Sequence, residues 1–149
     1  MIRKASLNTV LAHVPLFSSC NAKELKSIGR LTTGLRLDAG TVVTRQGAIG
    51  HHFAIITDGT ANVSIDGRVV AVLGPGDFFG EISLLDGGPQ TATITAESEL
   101  SVEIIGHGEF TQFLRESPAV TRNILKGIAR RLRSADAHIF GAPSTPTTS

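Results

Sequence analysis

Hydrophobic positions along the chain pass through three successive periods. Leu7, Val10, Leu11 and Val14 recur at helical spacing until Pro15 stops them. Leu25, Ile28 and Leu31 then line one face of a second helix. Asn21, followed three residues later by Glu24, opens it with the sequence of a capping box. From Leu35 the period shortens to two. Ala61, Val63 and Ile65 alternate with Asn62 and Ser64, and Leu100, Val102 and Ile104 alternate again. Turn signals at Asp38-Ala39-Gly40, Gln46-Gly47, Asp58-Gly59, Asp66-Gly67 and Gly74-Pro75-Gly76 cut this region into short strands. Asp66-Gly67 predicts a two-residue hairpin leading to Val70 and Val72. Thr91, Thr93 and Thr95 alternate in a further run. Helical spacing returns after Gly108 with Phe110, Phe113 and Leu114, breaks at Ser117-Pro118, and resumes through Val120, Ile124, Ile128 and Leu132.

The pattern predicts a mainly β fold with flanking helices: an eight-stranded, jelly-roll-like β-roll with N-terminal helices, a short internal helix and two C-terminal helices. The expected divisions are a helical part at 1–33, a β-roll at 34–106 and C-terminal helices at 107–140, together one domain at 1–140. One domain is what 149 residues ordinarily make. The tail 141–149, rich in Pro, Ser and Thr, holds too little apolar surface to order itself and is expected to be disordered.

Composition changes this picture mainly by exclusion. A net charge of +1 with 41% hydrophobic and 18% charged residues fits a globular chain and selects no partner by charge. Cys20 is the single cysteine, so no intrachain disulfide forms, and no apolar run approaches the ~18 residues of a membrane span. With no signal-peptide pattern, a cytoplasmic location is expected. Seven Phe with no Trp or Tyr leave few platforms for base stacking, which argues against single-stranded nucleic acid. His13, His107 and His138 are scattered without ligand spacing, so no metal site is expected. No nucleophile elbow or P-loop lysine is present and Glu81 has no second carboxylate beside it, so no catalytic residue is assigned.

Candidate chemistry concentrates in residues 74–95, GPGDFFGEISLLDGGPQTATIT. Gly80 can let a ligand approach the backbone closely, and a short helix starting near Glu81 points free N–H groups at whatever precedes it, which attracts phosphate. Glu81, ionised, offers only acceptors and suits a sugar hydroxyl. Phosphate donors beside a hydroxyl acceptor describe a cyclic nucleotide.

The stretch resembles the phosphate-binding cassette of the cyclic nucleotide-binding domain family, shared by the catabolite activator protein, protein kinase A regulatory subunits and cyclic nucleotide-gated channels. Gly76, Asp77, Phe79, Gly80, Glu81, Leu84, Leu85, Pro89, Ala92 and Thr93 carry the resemblance in order and spacing, and Gly47, Phe53, Ile55 and Gly59 extend it. It covers roughly residues 15–133. The resemblance implies a ligand site of Phe79, Gly80, Glu81, Ile82, Ser83, Gln90, Thr91 and Ala92. Ile82 and Ser83 would supply backbone N–H groups, the Ser83 hydroxyl could join them at the phosphate, and the Thr91 hydroxyl could reach the phosphate or a guanine amino group. Arg131 lies close to where some relatives place a lid arginine that stacks on the purine. The implied regulatory ligand is cAMP ahead of cGMP, with no other cofactor, and the implied switch is movement of the last helix.

One position departs from the family. An Arg that pairs with the cyclic phosphate usually follows the position of Pro89, and this chain has Gln90. Exchanging a charge-assisted bond for a neutral amide predicts affinity weakened about 10-fold. Arg45, His51 and His52 are candidates for compensating charge. No helix-turn-helix follows the last helix, so nucleic acid is not the expected partner. Arg122, Lys126, Arg130 and Arg133 read as a solvated helix face. The expectation is a stand-alone cyclic nucleotide sensor acting on a protein partner or as a self-dimer. The alternative is a degenerate, ligand-free interaction or dimerisation module that keeps the fold without the arginine.

Overall fold

The structure, a computed structural model, describes Leu11 and residues 14–139, with side chains as far as Ser134. The helix expected over residues 6–14 therefore lies, apart from Leu11 and Val14, outside the described residues, as does the 141–149 tail. A 3-10 turn at Pro15–Phe17 leads to helix α1 (Ala22–Leu31). Its capping box forms: Glu24 N donates to Asn21 Oδ1 at 2.8 Å and Asn21 N to Glu24 Oε1 at 2.9 Å. Such a cap is worth about 1 kcal/mol.

Eight strands follow: β1 (Thr33–Leu37), β2 (Val42–Thr44), β3 (His52–Asp58), β4 (Ala61–Ile65), β5 (Arg68–Leu73), β6 (Phe78–Phe79), β7 (Thr93–Ala96) and β8 (Leu100–Gly106). They form two four-stranded antiparallel sheets in the orders β1-β8-β3-β6 and β2-β7-β4-β5. Helix α2 (Glu81–Asp86) joins β6 to β7, and α3 (His107–Glu116) and α4 (Pro118–Ile139) follow β8. This is the eight-stranded roll with flanking helices that the hydrophobic pattern predicts. Asp66 and Gly67 both adopt positive φ, 52° and 80°, the conformation that matches a hairpin turn to the strand twist. Val63 pairs with Ala71 and Ser64 with Val69, so Val70 bulges from the β5 edge.

Strand alternation sorts the apolar side chains into two cores. Phe53, Ile55, Phe78 and Ile105 face the helices and meet Phe17, Ile28, Phe110, Phe113 and Ile124. Ala54, Ile56, Phe79 and Val102 face the second sheet and meet Ala61, Ile94 and Ala96. Neighbours in sequence, Phe78 and Phe79 thus serve different cores. The Phe53 ring lies 5.5 Å from Phe78 and 5.0 Å from Phe110, linking β3, β6 and α3.

Glu103 is the polar exception on the helix-facing side of β8. It is 3% exposed, and Thr32 Oγ1 donates to its Oε1 at 2.7 Å. Opposite it, a Cβ on Gly34 would come 2.7 Å from Glu103 Oε2, so glycine leaves the room the carboxylate occupies. Burial pushes the Glu103 carboxyl above its usual range, and the Thr32 hydrogen bond holds back part of the rise. The folded protein therefore binds this proton more tightly than the unfolded chain. Stability falls as pH rises from the ordinary glutamate value of about 4.3 through the raised one, and stays lower above it. Glu103→Gln is expected to raise the melting temperature at neutral pH and to remove this part of the pH dependence. Thermal melts from about pH 4.3 to neutrality check it; parallel curves for the two proteins would refute it.

Candidate functional site

The site is built outward from β6. Phe78 and Phe79 pair with Ile55 and Ala54 of β3. The preceding turn is fastened by Gly76 N to Ile56 O at 2.8 Å, Ile56 N to Asp77 O at 2.9 Å and Gly74 N to Asp77 Oδ2 at 2.8 Å. Gly80 then caps α2 at φ 90°. A Cβ there would lie 2.4 Å from the His52 carbonyl oxygen. Close approach of β3 backbone, together with the left-handed φ, is what demands glycine at this position.

Glu81, the first residue of α2, has a side chain only 4% exposed. Arg131 Nη1 donates to its Oε2 at 2.9 Å, while Oε1 is buried without a partner. Arg131 Nη2 donates to the Phe78 carbonyl, and the guanidinium carbon stands 4.4 Å from the Phe78 ring centroid. The resemblance implies an arginine over a purine; in this structure Arg131 rests on Phe78 and Glu81. Gly127, one turn earlier on α4, lets the helix come this close. A Cβ there would lie 2.7 Å from Phe78 Cζ. Glycine inside a helix costs about 1 kcal/mol relative to alanine. At Gly127 that cost accompanies the seating of α4 on the ring.

On the other side of the cradle, Gln90 is drawn into the loop between β2 and β3. Gly47 N donates to Gln90 O at 2.8 Å, Gln90 N donates to Ala48 O at 2.7 Å, and Ile49 bridges to Pro89. This pairing delays β7 to Thr93, two residues after the start of the threonine alternation. The Gln90 amide lies against Gly50: a Cβ on Gly50 would be 2.0 Å from Gln90 Nε2 and 2.9 Å from Ser83 Oγ. The Ser83 hydroxyl is already engaged, donating to Gly88 O at 2.6 Å and accepting from Gly50 N at 3.0 Å.

The sequence-predicted site residues therefore divide. Glu81, Ser83 and Gln90 gather around α2 and the 47–50 loop, and Arg131 joins Glu81 from α4. Phe79 points into the roll interior and is 5% exposed, so its side chain belongs to the core. Ile82 and Ala92 are half-buried and Thr91 is exposed. Arg45, His51 and His52 are exposed. Among the described residues the ion pairs are Arg36–Glu99 and Arg131–Glu81, so none of these three is paired to the cassette. Arg122, Lys126, Arg130 and Arg133 are exposed on α4. Gly50, Phe78 and Gly127 escaped the sequence reading. A glycine inside an otherwise strong helical pattern was the available signal for Gly127.

A separate open cavity of about 330 Å³ lies at the α1–β1 junction, lined by Arg30, Thr32, Thr33, His52 and Glu109 among others, with no cassette residue. Its lining mixes both charges and converges on no single ligand group. Among the described residues, no three His, Cys, Asp or Glu gather to hold a metal, and no helix is long and apolar enough to cross a membrane.

A β-roll in which a short helix faces a glycine-rich loop, with a long C-terminal helix tied to the buried Glu81 carboxylate, defines the class of protein. The family model "Cyclic nucleotide-binding domain" matches residues 35–117, more than half of the chain. The chain belongs to the cyclic nucleotide-binding domain family. It is 33% identical over 114 residues to a cAMP-dependent protein kinase regulatory subunit of Yarrowia lipolytica, which covers 75% of this chain and 30% of that protein. It is 32% identical over 122 residues to a cyclic nucleotide-gated potassium channel of Rhizobium etli, covering 82% and 34%. Among solved structures, the catabolite activator protein of Thermus thermophilus superposes with a TM-score of 0.76 at 28% identity, over 84% of this chain and 61% of that one. A cAMP-bound PfPKA-R structure superposes with a TM-score of 0.80 at 24% identity, over 91% and 47%, and shows the shared fold. The chain spans about a third of the length of the two curated relatives.

Proposed function

We propose that this domain is a regulatory cyclic nucleotide sensor, taking cAMP ahead of cGMP at the α2 cradle and signalling through α4. The observation that carries it is Glu81: a buried carboxylate with Oε2 on Arg131 and Oε1 without a donor. A buried acceptor left unpaired costs about 1–3 kcal/mol, which a ribose hydroxyl donating to Oε1 would recover. Ligand and α4 then meet on the same carboxylate. A ligand shifts a conformational equilibrium only by its different affinity for the two states. The shared carboxylate supplies that difference, because a hydroxyl on Oε1 fixes the plane in which Arg131 holds Oε2. The choice of cAMP is supported by the names of the kinase regulatory subunits and of the cAMP-bound neighbour. Those relatives carry regulatory names, and Glu81 has a cation rather than a second carboxylate beside it, which supports a non-catalytic role.

A second reading keeps the fold as a ligand-free interaction or self-association module. It is favoured by Gln90 in the usual arginine position and by Arg131 already occupying Glu81. Calorimetric titration with cAMP and cGMP, carried to about millimolar ligand, separates the two. Saturable single-site binding, tighter for cAMP, is the result expected of the sensor. Silence for both nucleotides from protein that melts cooperatively would leave the module.

A further inference from the structure

Between Arg68 and Arg115 the sequence carries no lysine or arginine, while the cassette within that stretch holds Asp77, Glu81 and Asp86. The cation that reaches the cassette from α4, Arg131, already donates to Glu81 and to the Phe78 carbonyl. Arg45, before the 47–50 loop, is exposed and outside the described ion pairs. At the position after Pro89 stands a neutral amide, lying against Gly50 beside a Ser83 hydroxyl that is already engaged. An anion entering this cradle gives up hydration, and no buried cation among the described residues is free to meet it; an ion pair with an exposed side chain such as Arg45 contributes little. A sugar hydroxyl meets the opposite situation: a buried, ionisable acceptor oxygen, Glu81 Oε1, that lacks a donor.

Resting on the reading of the cradle as a sugar-binding site, we propose that this domain recognises the ribose rather than the phosphate, and so accepts uncharged ribonucleosides. The phosphate adds an anion that the site does not neutralise, and its removal leaves the Glu81 contact intact. Adenosine then binds within about tenfold of cAMP, because a phosphate contact made by neutral donors alone contributes little net affinity. The same distribution of charge makes cAMP binding depend only weakly on salt, since the cations beside the cradle are exposed and exposed ion pairs contribute little.

The test is calorimetric titration of the full chain with adenosine, 2′-deoxyadenosine and cAMP at low and high salt. Expected are saturable binding of adenosine within about tenfold of cAMP, weakening by about tenfold or more on loss of the 2′-hydroxyl, and a cAMP affinity little changed by salt. Saturable cAMP binding with adenosine silent at about a hundred times the cAMP dissociation constant would overturn this inference and leave the cyclic nucleotide reading standing. Equal affinities for adenosine and its 2′-deoxy form would overturn the role given to Glu81. Silence for both cAMP and adenosine would overturn the sensor reading together with this inference. Adenosine binding without cAMP binding would uphold the inference and replace the cyclic nucleotide as the ligand.

Discussion

Replacing Glu81 by alanine is expected to weaken cAMP binding by on the order of 10- to 100-fold, the loss of one charge-assisted hydrogen bond at a buried site. The fold should survive. The substitution removes the Arg131 contact, but it also removes the unpartnered Oε1 and its desolvation cost. The Arg131 side chain, 40% exposed, can turn its guanidinium to water. The melting temperature should therefore change little while affinity collapses. Parallel calorimetry and thermal melts read the two quantities separately. Unchanged affinity would remove Glu81 from the ligand contacts. A fall in affinity that tracks a large fall in melting temperature would reduce Glu81 to a structural residue.

Gln90→Arg is expected to tighten cAMP binding by about tenfold, as a guanidinium restores a charge-assisted phosphate contact in place of an amide. The backbone at this position is already held by Gly47 and Ala48, so the new side chain starts from a fixed origin beside Gly50 and Ser83. Adenosine, lacking the phosphate, should gain nothing. The gain for cAMP should shrink in high salt, because the added interaction is an ion pair at a partly open site. Titrations of both proteins with both ligands measure this directly. Equal tightening for adenosine and cAMP would place residue 90 away from the phosphate.

Much of the architecture was legible because its causes are local. The box at Asn21 and Glu24 depends on residues three apart, and the Asp66-Gly67 turn on two adjacent residues that tolerate positive φ. The alternating strands were readable where one face is wet and the other dry. They misled where a strand is covered on both sides. Leu100, Val102 and Ile104 suggest one buried face of β8, yet helices cover the opposite face and enclose Glu103 and Ile105 there. The same ambiguity concealed that Phe78, and not Phe79, is the aromatic residue that meets α4.

Periodicity, capping, turn chemistry and an ordered set of residue types suffice for the β-roll with its flanking helices, the cassette and its exceptional Gln90. What the cassette residues do with one another depends on contacts made in the folded chain. Arg131 reaches Glu81 across 50 positions of chain, Gly127 admits α4 to Phe78, and Gln90 folds onto Gly50 while Ser83 is taken up by Gly88. Such contacts join groups far apart in sequence. Their energies depend on how sheets and helices stack, on which polar atoms are left dry, and on where a missing Cβ lets two backbones meet, and no local preference along the chain carries that information.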